Sequence, residues 1–512
     1  MPSRLTALSI FALMASGASV LLAQTPEAPT PTEVLRVTSL ADDGQPATLR
    51  WAVDQSNAAP GRYRIEIAPS GPAPHVIALA SPLPPIKGPV QIEGALWKQT
   101  GEYVVLDGSG YITDKGNETC PGAVAGQYGT NVRTTTNPGI RLIDTTNVEI
   151  SGLEIRRFCI GILLNRTSGT FIHDNRIVAN RGGAGVMLTG DDGQGNPTST
   201  TTIHNKVLRN DFLDNGDGLE LTRGAAFNLV ADNVFRSTPA NPEPSQGIEI
   251  LRGHDNVVAR NRFEGYSDGL QINWGDRNYI AANTFTSNTF GLNLTGVGNV
   301  VDGNVITGNA VGVALRPAAT STIVRITRNT IADNGKSIAR CEAGGSCDPT
   351  IQKGGIVFGL PGGEHAEYVG SRGGGVTPNP AALLHICPHQ APDCQPMPNG
   401  GMAAPVIAAV RRTSVGIAVS GTIKAAPGTR YVIEIFGNAG TDAKEGEAFL
   451  GDAAIVTDAS GAGTFSISVT RAALTGPTAS FTATATSADG STSPFSVASR
   501  LPRQAADRQT AN

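Results

Sequence analysis

The feature that most constrains this 512-residue chain is a short motif that recurs through its middle. The motif is an asparagine, one variable residue and then an apolar residue. Successive copies lie 35, 23, 28, 22, 21 and 25 residues apart, so the longer steps contain insertions. A fixed internal repeat of this length predicts a solenoid, in which each repeat packs against its neighbours. The copies begin at Asn175, Asn210, Asn233, Asn261, Asn283, Asn304 and Asn329.

A second pattern keeps phase with the first and consists of glycine, an apolar residue, a variable residue and another apolar residue. This alternation predicts a strand with one buried face. Another short strand lies between the two patterns, as in the residues that follow Asn256 and Asn278. Three short strands per repeat predict an all-β parallel β-helix rather than a leucine-rich repeat, which needs a denser leucine pattern. The asparagines suit turns, and their side chains can bond one another from coil to coil. The pattern starts at Gly139, Gly161, Gly185, Gly218, Gly247, Gly269, Gly291 and Gly312.

These repeats resemble the right-handed parallel β-helix superfamily of pectate lyases and polygalacturonases, over residues 36–380. The resemblance implies an N-terminal capping helix, and the segment Leu40–Asn57 is similar to it, with Leu49, Trp51, Ala52 and Val53 facing the core. Motifs of individual families are absent from the sequence: Asp-Pro-His of mannuronan epimerases, Gly-His-Gly and Asn-Thr-Asp of polygalacturonases, and Arg-x-Pro-x-x-Arg of pectate lyases. The resemblance therefore implies a fold and no single activity.

Outside the solenoid, the composition predicts four further segments. Residues 1–23 read as a signal peptide, with Arg4 before an apolar run, which predicts a secreted or periplasmic protein. Residues 381–402 are a linker rich in proline, glycine and cysteine, and residues 502–512 are a disordered tail. Between them, residues 403–501 show regular short strands that predict an immunoglobulin-like β-sandwich. It resembles modules appended to secreted bacterial proteins, which space or attach their host.

Six cysteines remain after the predicted signal peptide, and an even number in an exported chain favours disulfides. The expected pairs are Cys120–Cys159, Cys341–Cys347 and Cys387–Cys394. Zinc binding is disfavoured because the sequence has no Cys-x-x-Cys pair and no histidine cluster. The net charge of −4 gives no reason to expect a nucleic-acid or anionic-membrane partner, and no other stretch is long and apolar enough to span a bilayer. The oligomeric state is left open.

A candidate site follows from stacking the variable positions of the glycine-led strands. Equivalent positions of successive coils lie about 4.8 Å apart, so outward side chains form a column. The polar part of this column and its neighbours hold the predicted catalytic carboxylates Glu220, Glu249, Asp217 and Asp268, and the predicted substrate-binding residues Gln271, Asn273, Trp274, Arg223, Arg252 and Asn293. Carboxylates and amides bind sugar hydroxyls, and an aromatic face binds a sugar ring.

Three functions fit this patch. The first is a secreted carbohydrate-active enzyme of glycosidase type, with Glu220 and Glu249 as acid and nucleophile or base on a polysaccharide. The second is a lyase or epimerase on a uronic-acid polymer, with Arg223 or Arg252 neutralising the carboxylate and Ca²⁺ assisting. The third is a non-catalytic surface protein. No cofactor is otherwise expected; Asp191 and Asp192, in one of the insertions 189–202 and 236–246, are either a Ca²⁺ site or a solvated pair.

Overall fold

A computed structural model of the chain describes residues 31–112, 137–180, 183–190, 200–241, 245–316, 321–335, 353–358 and 397–501. Most strands of the described residues belong to three long parallel sheets, which we call sheets 1, 2 and 3. Successive coils add neighbouring strands to each sheet, so the chain forms the all-β parallel β-helix that the repeat predicts.

The strands of each sheet neighbour one another in chain order. Sheet 1 comprises Glu33–Val37, Tyr63–Ile67, Val90–Gly94, Val148–Ser151, Phe171–His173, Lys206–Leu208, Leu229–Ala231, Val257–Ala259, Tyr279–Ala281, Val297–Asp302 and Ile323–Thr327. Sheet 2 comprises Val76–Ala78, Val104–Asp107, Leu153–Arg156, Arg176–Val178, Asp211–Leu213, Val234–Arg236, Arg262–Glu264, Thr284–Thr286, Val305–Thr307 and Thr330–Ala332. Sheet 3 comprises Pro138–Ile143, Ile160–Asn165, Ala184–Thr189, Asp217–Thr222, Gln246–Leu251, Asp268–Asn273, Phe290–Leu294, Val311–Leu315 and Lys353–Phe358. A small pair, Thr202–Ile203 with Ala225–Ala226, lies between sheets 3 and 1 along the chain.

Buried asparagines form hydrogen-bonded ladders at all three corners of the β-helix. At the corner between sheets 1 and 2, the side-chain nitrogen of Asn233 donates to Oδ1 of Asn261 at 3.0 Å, and the same bond links each motif asparagine to the next. A second ladder, between sheets 3 and 1, links Asn205, Asn228, Asn256, Asn278 and Asn299. A third, between sheets 2 and 3, links Asn180 to Asn215 and, further along, Asn288, Asn309 and Asn334. The predicted stacking of the motif asparagines is therefore present at one corner, and the other two corners have the same arrangement.

The core of the solenoid is a column of aliphatic side chains with one aromatic stack. Phe212, Phe235, Phe263 and Phe285 lie on successive strands of sheet 2, with ring centroids 4.4, 4.9 and 4.7 Å apart and nearly parallel planes. All four rings are buried. This spacing is the coil spacing itself, so the rings help to fix the rise from one coil to the next.

The N-terminal end is covered by helix α1 (Leu49–Ala58), and a shorter helix α2 (Ala95–Thr100) follows. The prediction that the capping helix begins near Leu40 is wrong, because Ala47 has a left-handed φ of 69° and Thr48 caps the helix by accepting from the Trp51 backbone nitrogen. Leu49, Ala52 and Val53 are buried as predicted, whereas Trp51 is only half-buried.

The C-terminal region forms two antiparallel sheets, one of three strands and one of four. Their apolar faces pack together through residues such as Val419, Ile433 and Phe481, as in a β-sandwich. The three-stranded sheet comprises Val406–Arg412, Gly416–Lys424 and Ala462–Thr470. The four-stranded sheet comprises Ala448–Val456, Arg430–Asn438, Ser480–Ser487 and Ser499–Arg500.

The sandwich also covers the last coils of the β-helix. The Glu445 carboxylate accepts from the backbone and side-chain nitrogens of Asn334 at 3.1 and 3.0 Å, and from the Gly355 nitrogen at 2.7 Å. The Glu434 carboxylate accepts from the Arg328 nitrogen at 3.0 Å. These side chains satisfy donors that another coil would otherwise satisfy. The module therefore caps the solenoid, a role that the predicted spacing or attachment does not include.

Candidate functional site

The register of sheet 3 places the variable positions in the predicted column. Glu220 pairs with Glu249, Glu249 with Gln271, and Gln271 with Asn293. The column continues without a gap in the other coils, in the order Arg141, Leu163, Met187 before Glu220 and Ala314 after Asn293. The next outward column holds Thr189, Thr222, Leu251, Asn273 and Thr295, with Leu251 paired to Asn273.

A bend at the leading glycine brings a third carboxylate to the same face. A Cβ on Gly218 would lie 2.6 Å from the ring of Phe235, which is in the core, so Gly218 faces inward, as does the buried core residue Leu219. Two consecutive inward positions leave Asp217 and Glu220 on the same outer side. Glycine is needed at Gly218 because the added Cβ would also lie 2.5 Å from the Gly247 carbonyl oxygen.

Three carboxylates meet at this point. One carboxylate oxygen from each of Asp217, Glu220 and Glu249 lies within 4.8 Å of the other two. Asp217 and Glu220 are 2% and 1% exposed, and Glu249 is half-buried. Asp217 also accepts from the Gln246 backbone nitrogen at 3.1 Å. Among the described residues this is the one group of three acidic or histidine side chains with a spacing that could hold a cation.

Amide side chains connect the fourth carboxylate to this group. Asp268 is 0% exposed and accepts from Gln271 Nε2 at 2.5 Å and from Asn293 Nδ2 at 3.4 Å. Asn273 Nδ2 donates to Gln271 Oε1 at 2.6 Å and to Glu249 Oε1 at 3.1 Å. Asp268 is therefore linked to Glu249 through two amides, and the network holds the Glu249 carboxylate as a hydrogen-bond acceptor.

The predicted flanking residues lie in a turn at the edge of the site. Arg223, Arg252 and Trp274 directly follow three adjacent strands of sheet 3 and have left-handed φ values of 41°, 60° and 54°. The Arg252 guanidinium carbon lies 5.9 Å from the centroid of the Trp274 ring, a cation–π contact, and Arg252 is exposed. Trp274 is half-buried, and its backbone nitrogen donates to Thr295 Oγ1 at 2.8 Å. Trp274 and Arg252 thus form a rim.

The prediction missed Arg316, which is 0% exposed. It follows the strand Val311–Leu315 and extends the second column one coil beyond Thr295. Its Nη2 donates to Asn273 Oδ1 and, at 3.3 Å, to the Ile272 carbonyl oxygen, and its Nε has no hydrogen-bond partner. The sequence could have indicated this residue, because Leu294 pairs with Leu315 and position 316 is therefore equivalent to Thr295 in the second column.

The site differs from an open cleft in its burial. On the coils before Glu220, Leu163 and Met187 form a small buried apolar cluster with Ile160 and Ala184. Gln271 and Asn293, on the other side, are also buried. The outer face of sheet 3 is therefore covered over most of its described length, although outward residues of a solenoid are commonly solvated.

Several predictions fall on residues outside the described part of the chain. These are the signal peptide 1–23, Asp191 and Asp192, most of the linker 381–402, the tail 502–512, and every cysteine except Cys159. Cys159 is disulfide-bonded, while the proposed pairing pattern stays a prediction. Among the described helices, none has the length and apolar character required to cross a bilayer.

Comparison with known proteins supports the fold and identifies a protein of similar sequence. Residues 104–242 match the family described as right handed beta helix region, which confirms the predicted superfamily. Residues 240–347 match the family described as periplasmic copper-binding protein (NosD). The 3-dehydroshikimate dehydratase of Acinetobacter baylyi is 52% identical over 433 residues, which cover 84% of this chain and 88% of that protein.

Solved structures with a similar backbone fold include an alginate epimerase and a polygalacturonase. A double mutant of the periplasmic alginate epimerase AlgG has a TM-score of 0.35 and 12% identity, and the match covers 52% of this chain and 60% of that chain. The polygalacturonase of Erwinia carotovora ssp. carotovora has a TM-score of 0.30 and 12% identity, over 60% of this chain and 74% of that chain. Similarities this low carry no argument about function.

Proposed function

Since the chain belongs to the same family as the 3-dehydroshikimate dehydratase of Acinetobacter baylyi, we propose that it removes water from a small cyclic hydroxy-ketone carboxylate of the 3-dehydroshikimate type. The relative is matched over most of its length, so the proposal concerns the whole β-helix and its site. A polysaccharide hydrolase has less support, because the relative is named as a dehydratase and not as an enzyme of polysaccharides.

The observation that carries the proposal is the carboxylate cluster of Asp217 and Glu220, which are buried, and Glu249, which is half-buried. Dehydration of a β-hydroxy ketone needs a base that removes the acidic proton next to the carbonyl and an acid that protonates the leaving hydroxyl. The C–H electrons form the new C=C bond, the C–O bond breaks, and the hydroxyl departs as water. Two carboxyl groups within a few ångströms, one ionised and one protonated, can perform both transfers on one ring.

The contacts favour one assignment of these roles. We assign Glu249 as the base, because Asn273 Nδ2 donates to its Oε1 at 3.1 Å and an ionised carboxylate is the better acceptor. We assign Glu220 as the acid, because it is 1% exposed and burial disfavours charge. Asp217 lies beside both, and Asp268 acts on Gln271, so we give them positioning roles.

Burial also supports a small substrate. A polymer must lie across an open groove, where the carboxylates that attack it are reached from solvent. Here Asp217, Glu220 and Asp268 are at most 2% exposed, the proposed base Glu249 is half-buried, and apolar side chains lie on the coils before Glu220. A pocket that encloses one ring fits this burial better, because most of the surface of a small ligand is covered in its site.

The direct test is to incubate the purified protein with 3-dehydroshikimate and follow the ultraviolet absorbance of an aromatic dihydroxybenzoate product. We expect turnover by the wild type and a loss of about 10²- to 10⁴-fold in kcat for Glu220→Gln and Glu249→Gln, the usual contribution of a general acid or base. Glu264→Gln is the matched control, because Glu264 lies on sheet 2, paired with Arg262 and away from the site.

Parallel incubations with a panel of glycans test the other functions. New reducing ends without dehydration of 3-dehydroshikimate would favour the hydrolase, and unsaturated sugars would favour the uronic-acid lyase. Activity on neither class, in protein shown to be folded, would favour a non-catalytic role. Wild-type turnover retained in Glu220→Gln would refute our assignment of the acid while leaving the reaction itself intact.

An exported location is also part of the proposal. The predicted signal peptide 1–23 and the periplasmic description of the family matched by residues 240–347 both support it. Fractionation of cells that express the full chain should recover it in the periplasm or medium, and recovery in the cytoplasm alone would contradict this location.

A further inference from the structure

Arg316 is a buried cation without a buried anion among its partners. Its guanidinium donates to the neutral oxygens of Ile272 and Asn273, and within the described part of the chain no carboxylate is bonded to it. Its Nε is buried and has no hydrogen-bond partner. A guanidinium taken out of water is strongly unfavourable unless an anion and further acceptors compensate it. The position is therefore set up for a negatively charged ligand.

The side chain reaches the carboxylate cluster through one residue. Arg316 stands two coils beyond Asn273 in the same column, about 10 Å along the sheet, and its guanidinium extends back over the intervening coil to Asn273 Oδ1. The amide nitrogen of Asn273 donates to Glu249. An anionic group held at Arg316 would thus belong to a molecule that also lies beside the proposed base.

We propose that Arg316 binds the carboxylate of the substrate and so positions the ring over Glu220 and Glu249. This rests on the proposed function, in which the substrate is a cyclic carboxylate. Guanidinium and carboxylate groups match in shape and form paired, charge-assisted hydrogen bonds, so the contact fixes orientation as well as charge. The geometry gives this role to Arg316 rather than to Arg252, whose guanidinium is exposed and lies over Trp274.

The experiment compares two ligands that differ in one charge, 3,4-dihydroxybenzoate and its neutral amide, by titration calorimetry on the full chain. We expect the wild type to prefer the carboxylate, and Arg316→Gln to lose about 10- to 100-fold of that affinity, the effect of removing a hydrogen bond to a charged group. Binding of the amide should change little. Arg316→Lys keeps the positive charge but lacks the planar guanidinium group, so its affinity for the carboxylate should lie between those of the wild type and Arg316→Gln.

Kinetics on 3-dehydroshikimate provide a second readout. Arg316→Gln should raise KM with a smaller effect on kcat, because the carboxylate contact is present in both ground and transition states. Arg260→Gln is the control, since Arg260 is an exposed arginine paired with Asp232 at the corner between sheets 1 and 2. Circular dichroism establishes that each variant is folded, and Arg316→Lys carries the test if Arg316→Gln does not fold.

The outcomes separate this inference from the proposed function. If the wild type dehydrates 3-dehydroshikimate and Arg316→Gln keeps both its KM and its preference for the carboxylate, the role of Arg316 is refuted alone. If the wild type neither turns over 3-dehydroshikimate nor binds either ligand, both proposals are refuted together. Loss of the carboxylate preference in Arg316→Gln, with Arg260→Gln unchanged, supports the inference.

Discussion

Replacing Asn233 with alanine should destabilise the β-helix far more than its small volume suggests. The side chain is 1% exposed and makes five hydrogen bonds. Its Nδ2 donates to Asn261 Oδ1 at 3.0 Å and to the carbonyl oxygens of Val207 and Ala231 at 2.9 and 3.0 Å. Its Oδ1 accepts from the backbone and side-chain nitrogens of Asn210 at 2.8 and 3.0 Å.

The expected loss follows from these contacts. Each bond contributes about 1 kcal/mol net, and a buried partner left without a bond costs about 1–3 kcal/mol. Some of the partners keep another bond, so the costs do not simply add. We expect the free energy of unfolding to fall by about 3–5 kcal/mol, which is large for a single substitution.

Urea unfolding monitored by far-ultraviolet circular dichroism measures this loss. Asn233→Asp is the informative companion, because it keeps the acceptor for Asn210 but loses the donor to Asn261 Oδ1 and to the two backbone carbonyls, so it should also destabilise. Arg262→Ala, which removes an exposed arginine near the same corner, should stay within about 0.5 kcal/mol of wild type. A loss below about 1 kcal/mol for Asn233→Ala would refute the view that the ladders hold the coils together.

Two further substitutions test the cap and the bend. Burial raises the pKa of Glu434, although hydrogen bonds from Thr327 and Arg328 oppose this shift. The folded state therefore favours the protonated carboxyl group. This contribution to stability is fully present below the ordinary pKa and is lost as the pH rises through the raised pKa. Glu434→Gln, which is neutral at every pH, should therefore become more stable to heat relative to wild type as the pH rises above the ordinary carboxyl pKa of about 4.5. A difference in Tm that does not change with pH above that value would contradict this. Gly218→Ala should lower the free energy of unfolding by about 1–3 kcal/mol. It should also lower activity, because the added Cβ would contact the core and move Asp217 and Glu220. The control Gly476→Ala, with open space around it, should change neither stability nor activity.

The column of the site could be predicted from the sequence, because residues at equivalent places in successive repeats of a β-helix stack on one another. Each Gly-apolar-variable-apolar strand has one core face, and a slip of one residue would turn that face outward. The pairing of Glu220 with Glu249 and of Gln271 with Asn293 follows from this constraint alone. The asparagine ladder between sheets 1 and 2 was predictable for the same reason, since the motif recurs at a fixed point in the coil.

Features that depend on contacts outside the repeat could not be read in this way. The place of Arg316 in the second column follows from the repeat, but its burial and its contact with Asn273, two coils back, have no periodic signature. The cap is another case, because Glu445 meets Asn334 across 111 residues and belongs to a different domain. The predicted helix start failed for a local reason, since Ala47 is left-handed within the segment that the resemblance had assigned to the helix.

The chemistry of the column depends on its burial more than on its residue types. Exposed on a flat sheet, carboxylates, amides and a tryptophan would suit a sugar polymer, which is how the sequence alone is best interpreted. The same residues act differently when they are buried, because charges interact more strongly where the dielectric is low and need opposite charges close to them. Arg316 is such a counterpart for an incoming anion, and Asn273 connects it to Glu249. A buried acid, a half-buried base and a buried guanidinium, linked by the amide of Asn273, together favour a single charged ring over an extended chain of sugars.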